Sequence, residues 1–233
     1  HPEYGHTKGV EITTGPLGQG LASATGFAYA SRFERGLFDP KSPEGQSPFD
    51  HFVYVIAGDG DVQEGVSAES ASIAGHQGLG NLIVIYDANQ ISIEDDTDIS
   101  FTEDVAARYR AYGWQTLEVD WRKNGNYHED VVALYEAIEQ AKADTDQPTL
   151  ITLRTIIGWP SPSKQNTGKI HGSKLGGEEL AGLKQALGFD PEQNFEVSEE
   201  VIEHTRSLFT RSAVVRSEWE QKFATWKSQN PAK

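Results

Sequence analysis

The sequence predicts an α/β fold, a doubly wound and mainly parallel sheet with helices on both faces. Two short apolar runs, 52–57 and 82–86, are rich in β-branched and aromatic residues and lack a 3.6-residue period, so they read as buried strands. Between them, residues 64–76 carry Ser, Ala and Ile at helical spacing, which makes a β-α-β unit. The alternation then continues with a helix over 104–112, a strand over 115–119, a helix over 128–143 and a strand over 149–155.

The flanking elements follow the same logic. Residues 15–35 are rich in Gly and Ala, and Leu17, Leu21, Ala24, Ala28 and Ala30 form a stripe of small and apolar side chains, predicting a closely packed helix. Residues 158–177 are rich in Pro, Ser, Gly and Lys, too polar for a buried connector, and read as a functional loop. A short helix over 178–187, a turn at 188–191 and a long charged helix over 198–226 complete the chain.

Composition narrows the function. With 37% hydrophobic residues the chain can bury a core, so disorder is excluded. A net charge of -15 would repel a phosphate backbone, which excludes nucleic acid as a partner. No apolar run approaches the roughly 20 residues that span a bilayer, and residues 1–8 hold no secretory apolar segment; a cytoplasmic location and no membrane partner are expected. The absence of Cys leaves oxygen and nitrogen ligands to carry any metal chemistry. Met is absent as well, and the expectation is a fragment of a longer protein, with His1 not a native start.

The chemistry concentrates at Gly58-Asp59-Gly60, which ends the first predicted strand, and at Asn89, just beyond the second. Adjacent parallel strands bring both to the edge where open α/β sheets bind ligands. One carboxylate, one amide oxygen and a backbone carbonyl suit a small hard cation that also takes oxygens from a bound phosphate, the usual manner of Mg²⁺, with Ca²⁺ or Mn²⁺ as substitutes. A diphosphate is implied, and the amides of Gly58 and Gly60 can approach it closely. The bland alternative is a simple Gly-Asp-Gly turn with Asn89 in a loop. A dinucleotide fingerprint fails at its third glycine, where Gln63 stands, and a Walker loop fails because Ile170 follows Gly168-Lys169.

Gly58-Asp59-Gly60 through Asn89 resembles the thiamine diphosphate motif. The flanking text is similar to transketolases: His1-Pro2-Glu3, Gly9-Val10-Glu11, Thr13-Thr14-Gly15-Pro16-Leu17-Gly18-Gln19-Gly20, Gln63-Glu64-Gly65 and Tyr86-Asp87. The resemblance covers most of the chain. It is strongest over residues 1–101 and weakest in the last helix.

That resemblance implies that residues 1–233 are a diphosphate-binding domain, truncated at its start and lacking the pyrimidine-binding and C-terminal domains. Asp59, Asn89 and the Ile91 carbonyl would hold Mg²⁺, and Gly58 and Gly60 would contact the diphosphate. Gly15, Leu17 and Ile93 would lie against the cofactor, Glu64 would act near it at a subunit interface, and His171 would stand near the diphosphate and the reacting centre. His1 would meet the substrate's hydroxyl end. The implied reaction transfers a two-carbon ketol group from a ketose phosphate to an aldose phosphate in the pentose phosphate pathway, in a homodimer, with this chain inactive alone. Open alternatives are dihydroxyacetone synthase, other thiamine diphosphate enzymes, and a noncatalytic Mg²⁺-phosphate module. His51, His76, His128 and His204 read as surface or packing residues, and no role attaches to His6.

Overall fold

The computed structural model describes residues 2–233. Along the chain come α1 (Gln19–Phe38), β1 (Val53–Gly58), α2 (Asp59–Gln63), α3 (Gly65–His76) and β2 (Leu82–Ala88). A hairpin of β3 (Ile91–Ser92) and β4 (Asp95–Asp96) follows, then α4 (Val105–Ala111), β5 (Gln115–Asp120), α5 (Val131–Ala143), β6 (Thr149–Arg154), α6 (Gly177–Ala186) and α7 (Glu199–Gln229). Contacts divide the chain into two compact units. One takes residues up to Tyr29, Phe52–Trp159 and Lys164–Lys174; the other takes Ala30–His51, Pro160–Ser163 and Leu175–Lys233.

The first unit holds the sheet. Strands β1, β2, β6 and β5 lie side by side in that order, and each neighbouring pair is parallel. Strand alternation sorts their side chains into two cores. Leu82, Val84 and Tyr86 pack with Leu21, Ala24 and Ala28 of α1, Ala71 and Ala74 of α3, and Tyr109 of α4. Ile83 and Ile151 point the other way, to Ala137 and Ala141 of α5. Helices therefore cover both faces, as a doubly wound fold requires. Leu82, Ile83, Leu150 and Ile151 are fully buried, each worth about 1.5–3 kcal/mol of transfer free energy. The small residues on α1, α3 and α5 let the helices lie close to the sheet.

Local signals set the ends. Asp104 Oδ1 accepts from the Ala107 amide and Asp130 Oδ1 from the Ala133 amide, so α4 and α5 each start just after a capping aspartate. The helix expected from residue 128 is thereby shortened. The helix expected from residue 15 begins only at Gln19, because Gly18 has φ 77, outside the right-handed helical region. The helix expected over 64–76 is α3, which starts at Gly65; the short α2 before it was not expected, and Glu64 is extended between the two. The β3–β4 hairpin was not expected, since two residues per strand leave no periodic pattern to read.

In the second unit α7 is a 31-residue helix whose N-cap, Ser198, accepts from the Val201 amide. Its C-terminal half rests on aromatic contacts. Trp226 stands edge-on to Phe49 at 5.0 Å, and its Nε1–H donates to the Phe38 carbonyl at 3.2 Å. Among the described residues no helix is long and apolar enough to cross a membrane.

Candidate functional site

All four parallel strands end on one edge, and the predicted chemistry stands at the ends of β1 and β2. Gly58 pairs in register with Asp87, so Asp59 and Asn89 follow directly from two adjacent strand ends. Asp59 opens α2 and is only 5% exposed. Its Oδ1 accepts from the Tyr86 hydroxyl at 2.7 Å and its Oδ2 from the Gln90 amide at 2.9 Å. The Asp59 carboxylate therefore rests against the backbone between Asn89 and Ile91.

A second layer orients that backbone. Asn89 Nδ2 donates to Asp87 Oδ2 at 3.2 Å, while Asn89 Oδ1 accepts from the Ile91 amide at 2.9 Å. Asp87 Oδ1 accepts in turn from the Thr155 hydroxyl at the end of β6. Tyr86 and Asp87 thus aim Asp59 and Asn89. Burial pushes the Asp59 carboxyl above the usual aspartate range; the Tyr86 hydroxyl and the backbone amides oppose this, and the Asp87 charge adds to it. Burial, with the Asp59 charge and hydrogen bond, also holds the Tyr86 phenol well above its ordinary value, so it stays protonated as a donor.

A divalent cation fits this donor set. One buried carboxylate, raised in pKa by its surroundings, gains from a neighbouring positive charge, and an ionised carboxylate with about four lone-pair sites has room beyond its Tyr86 and backbone-amide donors. With the Asn89 amide oxygen and the Ile91 carbonyl, the set is all oxygen, suited to Mg²⁺ completed by phosphate oxygens and water. Among the described residues no cluster of three or more His, Asp and Glu side chains offers a metal site.

The remaining predicted residues fall into three places. Leu17, 54% exposed, reaches over Gly60: a Cβ on Gly60 would stand 3.0 Å from Leu17 Cδ1. Gly15 and Leu17 line a cleft of about 510 Å³ that also touches Asp61 and the open side of β1. Glu64 lies beside this loop, since a Cβ on Gly18 would come within 2.9 Å of Glu64 Cβ. Ile93 tops the β3–β4 hairpin and is 69% exposed. Gly168, three residues before His171, donates to Asp95 Oδ1 in that hairpin at 2.7 Å. His171 itself is exposed. His1 lies outside the described residues.

Asp61 is a residue that sequence reasoning missed. Its Oδ1 accepts from the Gly18 amide at 2.8 Å and its Oδ2 from the Gly58 amide at 2.9 Å, tying the Thr13–Gly20 segment to the strand end. The available signal was an acid three residues after Gly58, the position from which a side chain reaches back to a helix N-cap amide.

Comparison with known proteins gives this geometry a family. The profile described as "Transketolase, thiamine diphosphate binding domain" matches residues 1–233. The transketolase of Mycobacterium leprae is 58% identical over 99% of this chain, and that of Nostoc sp. 48% identical over 99%. The chain spans 32% of the first and 33% of the second, about a third of each relative's length. Among solved structures, transketolase from Leishmania mexicana aligns with a TM-score of 0.89 and 41% identity, over 100% of this chain and 33% of its own. A Pichia stipitis transketolase solved with sedoheptulose-7-phosphate aligns at 0.88 and 40%, over 99% and 33%. The profile match and the identities over nearly the whole chain agree on one conclusion: the chain belongs to the transketolase family and is its thiamine diphosphate-binding domain.

Proposed function

We propose that this chain holds the diphosphate of thiamine diphosphate through Mg²⁺, within a cytoplasmic, homodimeric transketolase. That enzyme would move a two-carbon ketol group from a ketose phosphate to an aldose phosphate in the pentose phosphate pathway. The observation that carries the reading is the buried Asp59 carboxylate set against the Asn89–Ile91 backbone at two adjacent strand ends. Sugar phosphates as substrates are supported by the Pichia stipitis relative, solved with sedoheptulose-7-phosphate. Bound thiamine diphosphate supplies the carbanion chemistry of the transfer.

The protein's own groups bind and orient. Asp59, Asn89 and the Ile91 carbonyl would take the cation, which neutralises the diphosphate, while Gly58 and Gly60 would let the backbone approach it. Gly15, Leu17 and Ile93 present exposed backbone and apolar surface for the rings, and Glu64 would act at the subunit interface. His171 would hold or move a proton on its imidazole beside the reacting centre, and His1 would meet the substrate's hydroxyl end. Residues 158–177 would form the active-site loop, and residues 1–233 alone would not turn over sugar phosphates.

Calorimetric titration of thiamine diphosphate with and without Mg²⁺, on the wild-type protein and Asp59→Ala, tests the reading. Binding that needs Mg²⁺ and is lost in Asp59→Ala is expected. Binding of equal strength in the variant would overturn the cation assignment.

A further inference from the structure

Gln90 has φ 65, a left-handed conformation in a residue with a side chain, and it sits between the two proposed cation donors Asn89 and Ile91. Such a conformation persists where surrounding contacts over-determine it. Three hydrogen bonds do so here. The Gln90 amide donates to Asp59 Oδ2 at 2.9 Å, its carbonyl accepts from the Thr97 amide at 3.0 Å, and its Oε1 accepts from Arg122 Nη1 at 3.1 Å. The first two belong to the site and its hairpin. The third comes from another part of the sheet.

Arg122 follows β5, and its own amide donates to Asp120 Oδ1 at 2.7 Å, so the arginine is anchored where it leaves the strand. A guanidinium cannot be a ligand to a cation, since it has donors only. Its effect must run through Gln90. The peptides on either side of Gln90 carry Asn89 and Ile91, so the backbone angle at 90 sets how those two donors face relative to Asp59.

We infer that Arg122 is a positioning residue for the cation loop: by holding the Gln90 side chain it keeps that residue left-handed and Asn89 and Ile91 turned toward Asp59. The inference rests on the cation reading of Asp59, Asn89 and Ile91. Residues from the two opposite edge strands' ends are thereby coupled through one glutamine.

The test is the Mg²⁺ dissociation constant, measured by calorimetry on the full-length protein at saturating thiamine diphosphate, with the melting temperature of the metal-free protein alongside. Arg122→Met is expected to weaken Mg²⁺ about three- to tenfold, the span of one hydrogen bond, with the melting temperature unchanged. Arg122→Lys, which keeps a donor, is expected to recover most of the loss. Gln90→Gly takes up the left-handed conformation freely, so Arg122→Met should cost nothing further in that background, a non-additive pair. Wild-type Mg²⁺ affinity in Arg122→Met, or the same loss with Gln90→Gly present, would overturn the inference while leaving the cation reading intact. Unchanged Mg²⁺ affinity in Asp59→Ala would instead overturn the cation reading, and this inference with it.

Discussion

Asp61 accepts a hydrogen bond from the amide of Gly18 at 2.8 Å, joining positions 43 residues apart in the chain. Its other oxygen holds the Gly58 amide, so one carboxylate ties the Thr13–Gly20 segment to the strand end that carries the proposed diphosphate site. Hydrogen bonds to a charged group contribute about 1.5–3 kcal/mol each. Asp61→Asn, with a single carbonyl oxygen, keeps one bond and sets an NH₂ against the other amide. The expected loss is about 2–3 kcal/mol in denaturant unfolding, together with weaker thiamine diphosphate binding. Unchanged stability and affinity in this variant would mean that the two segments are held together by other contacts.

Gly18 and Gly15 stand three residues apart in that segment and should behave oppositely. A Cβ on Gly18 would lie 2.7 Å from Ser67 Oγ and 2.9 Å from Val66 Cγ1, at φ 77, so both space and backbone refuse it. Gly18→Ala is expected to destabilise by about 2–5 kcal/mol, combining left-handed strain with overpacking. A Cβ on Gly15 meets nothing within 4 Å. Gly15→Ala should therefore stay within about 0.5 kcal/mol of wild type in stability, yet weaken thiamine diphosphate binding where the added methyl meets the cofactor. Calorimetric affinity and melting temperature, measured on both variants, separate the two roles.

The strands and most helices were legible because short β-branched apolar runs and 3.6-residue periods are local, and Asp59 and Asn89 were legible because parallel strands bring their ends to one edge. What escaped reading depends on tertiary direction. Tyr86 was part of the recognised text, but its hydroxyl's aim at Asp59 needs β1 and β2 in register. The left-handed backbone at Gln90 leaves no trace in sequence, since glutamine has no preference for it. Residues 15–18 looked helical by composition, and only the Gly18 conformation and the Asp61 anchor make them a loop.

His171 is exposed and follows a short 3₁₀ turn over Gly168–Ile170. An exposed side chain adds little to the core, so His171→Ala should leave unfolding free energy within about 0.5 kcal/mol of wild type. If the imidazole handles a proton in the reaction, ketol transfer by the full-length protein should fall about 10²- to 10⁴-fold. His204, also exposed and in the second turn of α7, is the control and should leave the rate unchanged. Steady-state rates for His171→Ala and His204→Ala decide this; equal rates would remove His171 from the chemistry.

Asp59 predicts a pH signature in the metal-free protein. Its folded-state pKa lies above the unfolded value of about 3.9, because burial disfavours the charged carboxylate. The fold therefore favours the protonated side chain. That contribution is complete below the unfolded pKa and is lost as pH rises through the folded pKa. Asp59→Asn cannot titrate, so the stability of wild type relative to this variant should decline as pH rises above about 4 and level off once Asp59 is ionised. The variant also alters the bonds to Tyr86 and Gln90, but that offset is the same at every pH; the slope alone reports the carboxyl. Mg²⁺ with thiamine diphosphate should restore the wild type at neutral pH and leave Asp59→Asn unchanged, since the cation offsets the buried charge. Melting temperatures of both proteins across this range, in EDTA and in Mg²⁺ with cofactor, give the answer: a flat difference in EDTA would mean that Asp59 is already compensated by Tyr86 and the Gln90 amide, without need of a cation.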